Sequence, residues 1–273
     1  MPTILDEIIA ARRQRLAVEM KALPLVDLKA QLQDQEDRVR NFPAALRGLR
    51  VRVIAEIKRA SPSEGVLNPL FDPRNVAQDY AGGGAAALSV LTEMDYFHGD
   101  LLHLRRARSY MALPVLRKDF IVEDYQVYQS RLARADALLL IATALPAEDL
   151  ERLLALTHSL GMTALVETHD EADLEKALNC GAKIVGINNR DLKTLQIDLA
   201  HTERLAPLVP PEVILVSESG LKSRPDIERM AAAGADAVLI GSVLMKTDLP
   251  QILLRQWITV PACPENRGRT ATA

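Results

Sequence analysis

Four times along this chain a small-residue stretch feeds a hydrophobic run: GGGAAALSV at 82–90, ARADALLLI at 133–141, NCGAKIVGI at 179–187 and AAGADAVLI at 232–240. The copies recur about every 50 residues, the period of a supersecondary unit that buries its apolar face only by stacking on its neighbours. In three copies a glycine, Gly84, Gly181 or Gly234, stands where a helix should end, a position that favours a left-handed cap. Arg134 takes that place in the remaining copy, which predicts a cap that is rebuilt or strained.

The elements read from periodicity agree with this repeat. Runs near 52–57, 85–91, 114–117, 136–141, 162–167, 183–188, 212–217 and 236–241 predict eight strands. Helical spacing predicts segments near 72–82, 100–110, 123–133, 146–160, 170–179, 200–206, 223–233 and 248–257. Strict alternation of strand and helix implies parallel strands, and apolar runs such as LLLI, VLI and ILV suit strands covered on both faces. A fourfold βαβα unit closing on itself is an α/β fold of the (β/α)8 TIM barrel type. The rival is an open doubly wound sheet, but the dominant Gly-rich nucleotide loop usual there is missing.

Ahead of the first strand, Thr3 to Met20 predicts an amphipathic helix: Thr3 can cap it, Ile4, Ile8 and Leu16 recur at helical spacing, and Arg12, Arg13 and Arg15 are expected in water. A second helix is expected near Asp27 to Gln35. With no linker after them, residues 1–48 are read as an N-terminal helical extension packed on a barrel of residues 49–258, and residues 259–273 as a disordered tail.

Charge and cysteine usage narrow the function. Thirty-three basic against 36 acidic residues give a net charge of −3, with no footprint for a nucleic acid or an anionic membrane, so any anion must be gripped locally. Cys180 and Cys263 have no CxxC or CxxH spacing, which argues against a disulfide framework or a zinc site and fits a reducing cytoplasm. Cys180 is expected to be a small buried residue and Cys263 to lie in the tail. No stretch approaches the roughly 18 to 20 apolar residues of a membrane span. Asp6 and Glu7 make the N-terminus unlike a signal peptide, so a soluble protein is expected.

Barrels carry their chemistry at the C-terminal ends of the strands. The first strand and its turn, VRVIAEIKRASPSEG at 51–65, place two opposite charges in an apolar run. Residues two apart share a face, so Ile54, Glu56 and Lys58 point one way and Val53, Ala55 and Ile57 the other. The third strand ends in Arg117, Lys118 and Asp119, the fifth in Glu167 and His169, the sixth in Asn188, Asn189, Arg190 and Asp191, and the seventh in Glu218. Alternation turns Lys118, Glu167, Asn188 and Glu218 inward together. A single Glu/Lys pair is more often a structural salt bridge. Two lysines and three glutamates converging on one mouth instead supply acids and bases whose pKa values burial can separate, as proton transfer requires.

A phosphate signal is separate. Ser219-Gly220 follows the seventh strand and Gly241-Ser242 the eighth, where glycine lets backbone N–H groups approach an anion and helix N-termini favour it. One such pair means little, but barrels often bind phosphate at this pair of loops. Phe120, just after Lys118, is either a hydrophobic plug or a surface for a ring-bearing ligand. The five histidines lack ligand spacing; His169 is assigned an ordinary turn role, and no metal is expected.

Taken together, IAEIKRASPS at 54–63, LRKDFIV at 116–122, GINNRDL at 186–192, VSESG at 216–220 and ADAVLIGS at 235–242 resemble the indole-3-glycerol phosphate synthase family of tryptophan biosynthesis, from about Ile4 to Trp257. The resemblance implies a carboxy-lyase that closes the indole ring of 1-(2-carboxyphenylamino)-1-deoxyribulose 5-phosphate with loss of carbon dioxide and water, using no cofactor or metal. It implies Lys118 as general acid, Glu167 as base, Lys58 as a substrate-binding or proton-donating group and Glu56 as their charge partner. Ser61, Asn188, Arg190, Phe120 and Glu218 match substrate contacts, and Ser219, Gly220, Gly241 and Ser242 match a phosphate cradle. The expected partner is that small phosphorylated substrate, with no nucleic acid and no membrane, for a chain that is a monomer or a weak homo-oligomer. Two departures stand out. Glu64 replaces the lysine many relatives place in SPSKG, which predicts altered substrate association, and Arg134 replaces a glycine. The competing readings are a phosphosugar isomerase or epimerase on the same fold, and a barrel that only binds phosphorylated metabolites.

Overall fold

The computed structural model describes residues 3–35, 37–62, 64–68, 71–191 and 194–263. Eight parallel strands close a barrel: β1 (Arg52–Ile57), β2 (Ala87–Leu91), β3 (Val115–Lys118), β4 (Ala137–Ile141), β5 (Thr163–Thr168), β6 (Ile184–Asn188), β7 (Ile214–Glu218) and β8 (Ala237–Ile240). Neighbours in sequence are neighbours in the sheet, and β1 closes the ring against β8 with Arg52 opposite Ala237. Each predicted strand lies within a residue or two of its place.

Two periodicities sort the core. Outward-facing Val53, Ala55 and Ile57 join the large cluster between strands and helices, while Ile54, Leu116, Leu165 and Val216 fill the barrel with Ala87, Ala137, Ile184, Ile214 and Leu239. The outer helices are α4 (Pro73–Gly82), α5 (Leu101–Tyr110), α6 (Asp124–Leu132), α7 (Ala147–Ser159), α8 (Glu171–Asn179), α9 (Ala200–Leu205), α10 (Arg224–Ala232) and α12 (Pro250–Trp257). A five-residue α11 (Ser242–Lys246) precedes the last of these, and a two-stranded hairpin, Ala60–Ser61 with Gly65–Val66, follows β1. The glycine caps have the left-handed backbone their positions demand, with φ of 88° at Gly84, 84° at Gly181 and 102° at Gly234. Arg134 adopts the same conformation at φ 69°, so that cap is strained rather than rebuilt, at a cost of about 1 kcal/mol.

The repeat also stitches strands together. Asp136 and Asp236 occupy the same place in their copies, and each accepts the backbone N–H of a residue on the preceding odd-numbered strand, Val115 and Leu215, at 2.9 Å. Asp136 additionally accepts from Arg108 at 3.0 Å and from the Arg40 N–H at 2.7 Å, anchoring the segment that leads from the extension into the barrel.

In the extension, α1 (Ile4–Ala22) starts at a capping box in which the Thr3 hydroxyl accepts from the Asp6 N–H and the Asp6 carboxylate accepts from the Thr3 N–H. It buries Leu5, Ile8, Arg12 and Leu16. Arg12 therefore corrects the expectation that all three arginines are wet: it falls on the apolar stripe, four residues from Ile8 and from Leu16. Its charge is met there by Asp119 at 3.3 Å and Glu19 at 3.0 Å. Helix α2 (Leu25–Gln33) lies against α6 through Leu28 and Tyr125. A short α3 (Phe42–Ala45), which periodicity misses, carries Phe42 and joins Leu46 in the interior cluster, and the Ala45 carbonyl accepts from Arg52 at the start of β1.

Two smaller expectations change. Val260 and Ala262, in the predicted tail, are buried, with the Val260 carbonyl accepting from Val51 and the Ala262 N–H donating to Leu49; residues 264–273 of that tail lie outside the described residues. Cys180 is half-buried, because it caps α8 at the barrel's rim rather than entering the core.

Candidate active site

The strand ends open into a cavity of about 630 Å³, lined at its base by Glu56, Lys58, Lys118, Glu167, Asn188 and Glu218. Strand alternation delivers all six to one space. Lys118 is its centre: its Nζ donates to Glu167 Oε2 at 2.7 Å and Glu218 Oε2 at 3.1 Å. Burial pushes the ammonium's pKa down, but the fields of Glu167, Glu218 and Glu56 outweigh it and hold the proton well above the usual lysine value. Lys58 and Glu56 form a second pair at 2.9 Å.

The two carboxylates on Lys118 are not equivalent. Burial opposes ionisation of Glu167, yet Lys118 and His169 overcome it and hold its pKa well below the usual carboxylate range. Its second oxygen accepts from Asn188 Nδ2 at 3.0 Å. Glu218 has less support: burial pushes its carboxyl up to about 7 against the pull of Lys118, with Glu167 adding repulsion. Its Oε1 is buried without a hydrogen-bond partner among the described residues. Both Gly186 and Gly241 are needed for these groups to fit, since a Cβ on Gly186 would collide with Glu218 Oε1 and one on Gly241 with Glu56 Oε1.

His169 corrects its assignment as a turn residue. Its Nε2 lies 3.3 Å from Glu167 Oε1, and its Nδ1 faces the Thr143 hydroxyl at 3.1 Å, which donates in turn to Asp173. Burial lowers the imidazole's pKa, but Glu167 and Asp173 reverse this and the net shift is upward. The signal was present in the spacing, because residues 167 and 169 share a face.

Arg117 turns away from the cavity into a buried knot that it forms with Asp119, which also lines the cavity. Arg117 donates to Asp119 at 2.7 Å and to the Gln126 carbonyl at 3.0 Å, and Asp119 meets Arg12 from α1. Phe120 reaches the cavity and faces Phe97 with ring centroids 6.2 Å apart; Phe97 comes from the β2 loop, which the sequence reading passed over. Leu5 and Ile8 of α1 complete the apolar side. Ser61 lines the cavity with its buried hydroxyl lacking a partner among the described residues, and Arg190 lines it while donating to the Leu195 carbonyl at 3.0 Å.

On the opposite side the cavity is lined by Ser219, Gly220, Gly241 and Ser242, so the two Ser/Gly pairs come together as expected. Lys246 joins them, one turn after Ser242 on α11. Glu64 also reaches this pocket, accepting from the Ser242 hydroxyl at 2.5 Å and pairing with Lys246 at 2.6 Å. Among the described residues no cluster of His, Cys, Asp and Glu is placed to hold a metal ion.

An eight-stranded barrel with ammonium groups and carboxylates gathered at the C-terminal ends of its strands defines a class, the (β/α)8 barrel enzymes that move protons on a small substrate. Solved structures support that fold: a 3-hexulose-6-phosphate synthase from Salmonella typhimurium (TM-score 0.63, 11% identity, 80% of this chain and 100% of that one) and an N-acetylmannosamine-6-phosphate 2-epimerase from Clostridium perfringens (TM-score 0.60, 13% identity, 82% and 98%). At such identity they speak for architecture alone. The family model of indole-3-glycerol phosphate synthase matches residues 5–256. Indole-3-glycerol phosphate synthases of Dehalococcoides mccartyi (49% identical over 88% of this chain and 94% of theirs) and Mycolicibacterium smegmatis (45%, 96% and 97%) are similar throughout. The chain belongs to the indole-3-glycerol phosphate synthase family, lyases of tryptophan biosynthesis.

Proposed function

We propose that the cavity closes the indole ring of 1-(2-carboxyphenylamino)-1-deoxyribulose 5-phosphate, with Lys118 as the principal acid and Glu167 as the principal base. The observation that carries this assignment is the Lys118 ammonium held at 2.7 Å from Glu167 and 3.1 Å from Glu218 at the base of a cavity with an aromatic side and a Ser/Gly side. The ring carbon that bears the carboxylate attacks the ribulose C2 carbonyl carbon, and the electrons of the C=O bond move onto oxygen. Lys118 polarises that oxygen and gives it a proton as its charge develops, a stabilisation needed only in the transition state. Carbon dioxide leaves with cleavage of the ring–carboxylate bond, whose electrons restore the arene. The new hydroxyl then departs as water with a proton from Lys58 or Lys118, while Glu167 takes a proton from the new five-membered ring.

The neighbouring groups prepare these steps. Asn188 and His169 both lie on Glu167 Oε1 and orient the base, while Lys118, with His169, keeps it ionised. Glu56 pairs with Lys58 at 2.9 Å and positions its ammonium for the departing hydroxyl. Phe120 and Phe97 flank the aryl ring, Ser61 and Arg190 face its carboxylate and the sugar hydroxyls, and Ser219, Gly220, Gly241, Ser242 and Lys246 take the phosphate. A cytoplasmic setting fits the small charged substrate, and no helix among the described residues is long and apolar enough to cross a membrane.

The test is direct. Wild-type protein supplied with the carboxyphenylamino ribulose phosphate should develop indole fluorescence. Lys118→Ala should lose about 10³-fold or more in kcat, the worth of a positioned acid with its electrostatic field. An inactive wild type would sink the activity; a near-normal Lys118→Ala would sink the role of that lysine alone.

A further inference from the structure

Glu64 lines the cavity beside Ser242 and Lys246, on the side assigned to phosphate. It stands in the hairpin turn after β1, where its N–H donates to the Ser61 carbonyl at 3.3 Å. From there each carboxylate oxygen meets one group of α11: Oε2 accepts from the Ser242 hydroxyl at 2.5 Å and Oε1 pairs with Lys246 Nζ at 2.6 Å. Burial works against this carboxylate's charge, but Lys246 and Ser242 prevail and its pKa lies below the usual range, so it is ionised at neutral pH.

The Ser242 hydroxyl and the Lys246 ammonium are two of the groups assigned to the phosphate in this pocket, and both are already engaged. The Ser242 hydroxyl has a single proton to donate, so two anions cannot both accept from it, and a phosphate seated there would repel the carboxylate held against Lys246. We infer that Glu64 is an internal occupant of the phosphate cradle, so that a phosphorylated ligand binds by displacing the carboxylate from Ser242 and Lys246. This rests on the assignment of that pocket to phosphate in the proposed function.

The consequence is quantitative. Displacement is one equilibrium, so it weakens inorganic phosphate and the full substrate by the same factor, as for any ligand that needs a minor form of the protein. The Glu64 and Lys246 side chains are 28% and 51% exposed, and partly exposed ion pairs are modest, so the factor is about two- to fivefold. Chemistry at Lys118 is untouched, because Glu64 contacts neither Lys118 nor Glu167 and feels Lys58 only as the weakest of the fields on it.

The experiment measures inorganic phosphate as a competitive inhibitor, together with KM and kcat, for wild type, Glu64→Gln, Ser242→Ala and the double variant. Glu64→Gln should lower the phosphate inhibition constant and KM by a common factor while kcat stays within about twofold. In wild type Ser242 exchanges one anion for another. With Glu64→Gln its full contribution appears, so Ser242→Ala should weaken phosphate more in that background than in wild type. An equal penalty in both backgrounds would overturn displacement and leave only general charge repulsion, with the cradle intact. No penalty in either background, or no inhibition by phosphate in Glu64→Gln, would overturn the cradle itself and this inference with it.

Discussion

Two carboxylates within hydrogen-bonding reach of one ammonium, Glu167 and Glu218 about Lys118, do not carry their charge evenly. Glu167 has Asn188 and His169 beside Lys118; Glu218 has Lys118 and one buried oxygen without a partner among the described residues. That asymmetry drives the pKa of Glu167 down and that of Glu218 up to about 7. Between the ordinary glutamate value, 4.5, and about 7, the folded protein keeps a proton on Glu218 that the unfolded chain has lost. This contribution to stability is complete below pH 4.5 and is lost as pH rises through about 7. The depressed Glu167 acts oppositely, and its contribution is lost only as pH falls below the ordinary range. Glu218→Gln imitates the neutral carboxyl, so the variant should lack a fall of roughly 3 kcal/mol that wild type shows from pH 5 to 8. Denaturant unfolding across that range checks this, and parallel curves for the two proteins would contradict it.

Helix α1 shows how a charge can belong to a core. Arg12 lies between Asp119 and Glu19 with almost no exposure, whereas Arg13, one residue on, pairs with Glu123 at 3.7 Å in the open. Arg12→Ala should cost about 2–3 kcal/mol, because Asp119 keeps Arg117 but loses a second buried cation. Arg13→Ala should cost less than about 0.5 kcal/mol. Comparable losses in urea would show that α1 is not anchored through this pair. The same residue marks where sequence reading stops. Strands and outer helices were legible because their apolar residues repeat every two or every 3.6 positions, and the inward set of Lys118, Glu167, Asn188 and Glu218 followed from that alternation. Residue type overrode spacing at Arg12 and His169, which both lie on the faces their neighbours predict. Helices α3 and α11 span four and five residues, too few for a period to register, so Phe42 and Lys246 escaped notice. The engagement of Glu64 with Ser242 joins groups 178 positions apart, and only the closed barrel brings them together.

The extension and the barrel are bound by more than α1. Asp136 accepts from Arg108, from Val115 at the start of β3 and from Arg40 in the connecting segment, while the Arg108 guanidinium also donates to the Arg38 carbonyl at 2.8 Å. Removing that carboxylate leaves the buried Arg108 guanidinium with Asp37 as its one acidic partner among the described residues and takes the acceptor from the Val115 and Arg40 N–H groups, so Asp136→Ala should cost about 3–5 kcal/mol. Because the knot spans both parts, wild type should unfold in one calorimetric transition; two separate transitions would mean that the extension and the barrel are independent. The ring closure carries a consequence for how such a chain is made. Strand β1 takes β2 on one side and β8 on the other, and the Val51 N–H donates to the carbonyl of Val260. On a ribosome the earliest strand therefore waits with one hydrogen-bonding edge open until the last strand has been synthesised, while six βα units gather beside it. An open edge on an unfinished sheet is a site for wrong pairing. The extension is made before any of these strands, so α3, with Phe42 and its attachment to Arg52, is available to cover the start of β1 throughout that wait.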